Sequence, residues 1–159
     1  MIAKGLIDNQ LTRIKESLRY RDYLTDDISK VDVAWHLDHS LKVINQIAKT
    51  LQNSIPEEYK KDFNMSRKVV FEAGRFSRGR GRAPKSVLPP EIIRTEDILQ
   101  QLDEAISNLK SLDSLDKHSN FYHSIFGMLD LKNSIRFLEI HTNHHLAIIE
   151  DIVTSKKNT

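Results

Sequence analysis

Glycine and proline set the frame of this 159-residue chain. Of five Gly and four Pro, three of each fall between Gly74 and Pro90. Gly and Pro punctuate secondary structure, so their crowding in one stretch leaves the remainder free to form long uninterrupted elements. Those remaining stretches repeat their apolar residues every three or four positions, the helical period. The spacing predicts four long helices. The first covers residues 6–24, with Ile7, Leu11, Ile14 and Leu18 inward. The second covers 32–53, with Val33, Leu37, Ile44, Ile47 and Leu51 inward and Asp32 as its cap. A third begins at Thr95, a cap followed by Glu96 and Asp97, whose charges suit a helix N-terminus. Its inward residues run from Ile98 through Leu102, Ala105 and Leu109 to Leu112. The fourth starts near Asp130 and carries Leu131, Ile135, Leu138, Ile149 and Ile152.

Four amphipathic helices, each about 30 Å long at 1.5 Å per residue, predict an all-α four-helix bundle forming one domain over 1–159. The connection between the second and third helices is long. It has room for short helices at 56–61 and 66–73, and then the basic Gly/Pro-rich loop at 74–90. No strand pattern is visible.

Composition excludes several function classes. The chain has no Cys, which removes disulfides, thiolate nucleophiles and Cys-ligated zinc, and leaves His, Asp and Glu as metal ligands. Lys and Arg number 24 against 22 acids, a net charge of only +2, so nucleic-acid binding would need a local patch. No apolar run reaches the roughly 18 residues of a membrane span. The opening MIAKGLIDNQ has neither an apolar core nor a small-residue cleavage site, so a cytoplasmic chain is expected.

Seven histidines are unevenly placed. His141, His144 and His145 lie in RFLEIHTNHHLAII of the fourth helix. His141 and His145 fall inside its apolar stripe, whereas His144 lies toward the flank. Two imidazoles four residues apart on one helix face can reach the same cation, the geometry of HExxH helices. The Glu of that motif is missing here, since Thr142, Asn143 and His144 stand between. Burying two polar rings is costly unless both are satisfied, and a metal satisfies both. The second helix, DVAWHLDHSLKVINQI, offers a third ligand. His36 lies nearer the stripe of Val33, Leu37, Ser40 and Ile47; His39 lies farther round, with Trp35 and Val43. The helical wheel slightly favours His36 and leaves both open.

These residues resemble the DinB-like superfamily of metal-dependent four-helix bundles, in a branch without known function. Three parts carry the resemblance: L-x-H at Leu37, Asp38 and His39; an H-P-x-F-G-like turn at HSIFG, from His123 to Gly127; and H-x-x-H-H-L from His141 through Leu146. It extends from Val31 to Ile152. Ser124 stands where the pattern has Pro. The resemblance implies a metal held by His39, His141 and His145, with His36 as a supporting or alternative ligand. Three neutral imidazoles suit Zn²⁺, Ni²⁺ or Fe²⁺ and leave an open coordination position, the arrangement of catalytic sites. It further implies a small-molecule substrate, a low-molecular-weight thiol among the candidates, and a homodimer. The expected activity is that of a hydrolase or a thiol S-transferase.

Proton carriers for such chemistry are His123, the leading catalytic candidate, together with Asp38 and Glu139. For the two acids, an exposed helix face is the plainer expectation. His118, in DKHSN, reads as solvated surface. The stretch 74–85, GRFSRGRGRAPK, holds five cations and no acid. Its arginines are expected to pair with acids on the bundle, or, at Arg78, Arg80 and Arg82, to contact an anionic substrate. A non-enzymatic module that binds metal, or nucleic acid through this loop, is the alternative function.

Overall fold

A computed structural model of the protein describes residues 1–79 and 81–159. It is mostly helical, with one two-stranded sheet among the described residues. The first helical stretch opens with a π-helical turn, Leu6–Leu11, continues as α1, Thr12–Ser17, and closes in a 3₁₀ turn, Leu18–Tyr20. The π turn adds a residue to the helical repeat, and this shifts which side chains face inward. Upstream of buried Leu11 the core residue is Leu6, five positions earlier, and not the predicted Ile7, which is only partly buried. The stretch also stops at Tyr20, short of residue 24. There the chain turns to meet the next helix: Val33 donates its N–H to the Tyr23 carbonyl and Ala34 to that of Arg21.

Helix α2, Val33–Gln52, begins where Asp32 accepts the Trp35 N–H at 2.9 Å, as the sequence predicts. Helix α4, Thr95–Ser111, starts at the predicted place but with a different cap. Arg94 is the flanking residue, and the Thr95 hydroxyl accepts from the Arg21 guanidinium instead of closing its own helix. Helix α5, Leu131–Lys157, is capped by Asp130, which accepts the Asn133 N–H at 2.9 Å. α2 packs against both α4 and α5, and the first helical stretch packs against α4 and α5 in turn. Leu37, Leu41, Ile44, Leu51, Ile98, Leu109 and Leu138 fill the space between them and are fully buried.

The long connection after α2 forms a 3₁₀ turn at Pro56–Glu58 and then α3, Met65–Ala73. Asn64 caps α3 and Gly74 ends it at φ 67°, the left-handed conformation that glycine adopts without a Cβ clash.

The sheet corrects the expectation of no strands. β1, Asn120–His123, pairs antiparallel with β2, Gly127–Asp130, so that His123 sits opposite Gly127. Four-residue strands are too short to show an alternating pattern. The hairpin is held from outside by α3: Arg67 donates to the carbonyls of Phe126 and Met128, both at 3.0 Å, and pairs with Asp62 at 2.8 Å. Gly127 has φ +71°, and a Cβ there would lie 2.3 Å from Asp62 Oδ2, so this turn needs glycine.

Candidate metal centre

Helical geometry assembles the centre. His141 and His145, four residues apart on α5, stack their side chains along the face that meets α2. From α2, His39 reaches the same point. The ring centroids are 5.1 Å apart for His39 and His141, 4.8 Å for His39 and His145, and 4.6 Å for His141 and His145. One ring nitrogen from each lies within 4.8 Å of the other two. Tetrahedral zinc ligands at about 2.0–2.1 Å from the ion stand about 3.4 Å from one another, so side-chain rotations of about an ångström close the triangle.

The hydrogen bonds of each ring bear on what the cluster can hold. His39 Nδ1 lies 2.9 Å from the Val87 carbonyl, which accepts its proton and leaves Nε2 as the unprotonated nitrogen. His145 Nδ1 lies 2.9 Å from His36 Nδ1. His141 has no protein partner among the described residues, and its Nδ1 is buried without one. A buried unsatisfied polar atom costs about 1–3 kcal/mol. These are the donor set and the deficit that a cation would satisfy.

Electrostatics favour the neutral, ligating form. Burial, reinforced by the neighbouring imidazoles, lowers His141 and His145 well below the usual value of 6.5. Burial also lowers His39, against a smaller upward pull from its bond to Val87 and from Asp38. His36 falls to about 4, through burial first and then His39, His144 and Arg78. The cluster therefore enters neutral pH with free lone pairs.

Around it lies an aromatic wall. Trp35 stacks on His39 at 4.9 Å with 27° between planes. Phe137 stacks on His141 at 5.7 Å. Phe76, from the long connection, meets His141 edge-on at 6.2 Å and His144 at 5.7 Å. The basic stretch is thus a roof over the cluster. Its two ends supply Phe76 and the Val87 carbonyl, and Arg78 is tied to Asp151 of α5 at 2.6 Å. Arg82 is exposed without an ion pair among the described residues, and Arg80 lies outside them.

The remaining candidates are distributed as follows. His123 belongs to the hairpin turn: its Nδ1 accepts the N–H groups of Ile125 at 3.1 Å and Phe126 at 3.2 Å. Its ring is 5.0 Å from Phe137, which also stacks on His141, so Phe137 connects the turn to the cluster. Asp38 is not on an exposed face. It is 1% exposed and held by Lys42 at 2.5 Å and Gln101 at 2.7 Å, toward α4. Glu139 pairs with Arg136 at 3.6 Å and lies beside Gly5 of the first helical stretch, away from the histidines. His118 is exposed and stacks on Tyr59. His144 is half-buried beside Phe76.

Two contributors carry no sequence signal. The Val87 carbonyl is backbone and invisible to residue type. Ser29, which bonds His36 Nε2 at 2.9 Å, sits in a loop seven residues upstream and reads there as a turn residue. A separate groove of about 820 Å³ runs along α2, α4 and β1; Lys42 and Ser86 line it, next but two and next in sequence to His39 and Val87. No protein-family model, curated protein or solved structure matches the chain.

Proposed function

We propose that this chain is a metal-dependent enzyme acting on a small molecule, built as a DinB-like four-helix bundle. The pairwise packing of the first helical stretch, α2, α4 and α5 supports the bundle. One observation carries the metal reading. Three imidazoles from two helices converge in a largely buried pocket, their lone pairs freed by burial, with one buried nitrogen left unpartnered. Hydrogen-bonded core histidines have no such deficit.

His39, His141 and His145 would hold a divalent cation, with Zn²⁺, Ni²⁺ and Fe²⁺ all suited to the donor set. A cation on three protein ligands supplies Lewis acidity at an open position, favouring ionisation of a water or thiol placed there. The chain's own residues do the rest. Val87 orients His39, the Phe76–Phe137–Trp35 wall excludes water, and His123 presents the outer end of an aromatic path leading to His141. The reaction class is hydrolysis or thiol transfer. The roof arginine Arg78, engaged with Asp151, fits closure of the site better than a nucleic-acid surface.

Elemental analysis of untagged protein, prepared without chelator, tests this reading. Near-stoichiometric metal is expected, lost in the His141→Ala/His145→Ala double variant. A native protein that stays metal-free after Zn²⁺ or Ni²⁺ titration overturns it. Metal-loaded protein would then be screened on esters and low-molecular-weight thiols; turnover abolished by chelation supports an enzyme, and its absence favours a metal-binding module.

A further inference from the structure

Behind His145 stands a row of groups that the metal triangle does not use. His36 is 4% exposed and bonded at both ring nitrogens: Nδ1 to His145 Nδ1 at 2.9 Å, Nε2 to Ser29 Oγ at 2.9 Å. Ser29 Oγ also donates to the Val31 carbonyl at 2.8 Å and accepts the Val31 N–H at 3.2 Å. Those bonds admit a single consistent direction. With its proton committed to Val31, Ser29 Oγ can only accept from His36, so His36 carries its proton on Nε2. His36 Nδ1 is then an acceptor, and the proton between the two facing nitrogens belongs to His145 Nδ1. This leaves the His145 lone pair on Nε2. The Val87 carbonyl imposes the same tautomer on His39.

We propose that His36 is a positioning residue: with Ser29 and the Val31 carbonyl it forms a directed hydrogen-bond chain that fixes His145 as an Nε2 metal ligand. The inference rests on the metal reading above and gives His36 a role distinct from ligation. Burying a second, unligated imidazole beside the triangle has a physical return. A ligand ring whose far nitrogen is hydrogen-bonded cannot spin or switch tautomer, and losing such a partner typically weakens metal affinity 10–100-fold. The two oriented rings contrast with His141, which has no hydrogen-bond partner among the described residues and is held by packing against Phe76 and Phe137.

The test measures Zn²⁺ affinity by competition with a chromophoric chelator, for the wild type and for His36→Leu, His36→Asn and His39→Ala. His36→Leu keeps the apolar packing and removes the acceptor; His36→Asn keeps an acceptor oxygen near the Nδ1 position. The expected result is a loss of about 10–100-fold in His36→Leu, recovery of most of it in His36→Asn, and near-complete loss in His39→Ala. Circular dichroism checks that each variant folds. Ring ¹⁵N shifts of the Zn²⁺-loaded wild type provide a second readout, in which His36 should show a protonated Nε2 and an accepting Nδ1. Equal affinity in wild type and His36→Leu, with His39→Ala still defective, overturns the positioning role while leaving the metal site intact. So does a His36 protonated on Nδ1, or one ligating the ion in place of His39. Failure of the wild type to bind Zn²⁺ at all overturns both readings together.

Discussion

At the scale of single residues, the centre joins four imidazole rings in a run of contacts and sets three of them, His36, His39 and His145, against the chain's one tryptophan. Trp35 lies 4.9 Å from His39, 5.4 Å from His36 and 6.3 Å from His145. An indole stacked on an imidazole is sensitive to any change in that ring's charge or ligation, because its π-system faces the ring directly. Zn²⁺ addition should therefore change Trp35 emission with a one-site saturation curve, and His39→Ala should abolish the response. A titration that leaves the emission of folded wild type unchanged would place the cation away from His39. The identity of the helix-two ligand also belongs to this scale. Periodicity slightly favoured His36 and the resemblance implied His39. Both are buried, and what separates them is bonding: His36 has both nitrogens engaged, His39 only one. A helical wheel reports direction from an axis; it carries no information about a backbone carbonyl arriving from 48 residues away.

At the scale of elements, the informative piece is the connection between α3 and α4. Its arginines were expected to pair with acids on the bundle or to contact an anionic substrate; Arg78 pairs with Asp151, and the ends of the connection close over the histidines through Phe76 and Val87. Phe76→Ala removes a half-buried ring that touches Phe126, Phe137, His141 and His144. A stability loss of about 1–3 kcal/mol is expected. Zn²⁺ release to a chelator should be faster in stopped flow, because the roof no longer excludes competitor. Arg82→Ala, at an exposed position, should leave both within experimental error. If the two variants behave alike, the connection does not cover the site. Helices α2, α4 and α5 were legible because each is long and buries a wide stripe, so many residues repeat one signal. The π turn at Leu6–Leu11 was not, since the 3.6-residue period that locates a helix assumes no inserted residue. The hairpin was not either. Its stability comes from Arg67 and Asp62 of a distant segment, and no pattern inside 120–130 records them.

On the scale of the whole molecule, the histidine cluster links folding to pH. In the folded chain burial lowers His36 to about 4 and moves His39, His141, His144 and His145 the same way, whereas the unfolded imidazoles keep values near 6.5. Between these limits the unfolded state binds more protons, so stability rises with pH and falls on acidification. His36 alone contributes a slope approaching about 1.4 kcal/mol per pH unit across that window. Asp62, lowered by its bond to Arg67, adds loss of the same sign only at still lower pH. Urea unfolding of chelator-treated protein should therefore show a constant free energy above pH 7 and a steep decline from pH 6.5 toward 4. Zn²⁺ affinity should behave differently. The folded ligands are already neutral near pH 7, so proton competition begins only as their lowered values are approached. Affinity measured on the folded protein should begin to fall at a lower pH than that of an exposed three-histidine peptide. A decline in affinity that tracks 6.5 would mean that the rings are solvated, and the buried triangle would then not be the binding site. Affinity that holds below the pH at which stability starts to fall is the signature of ligands kept neutral by the fold.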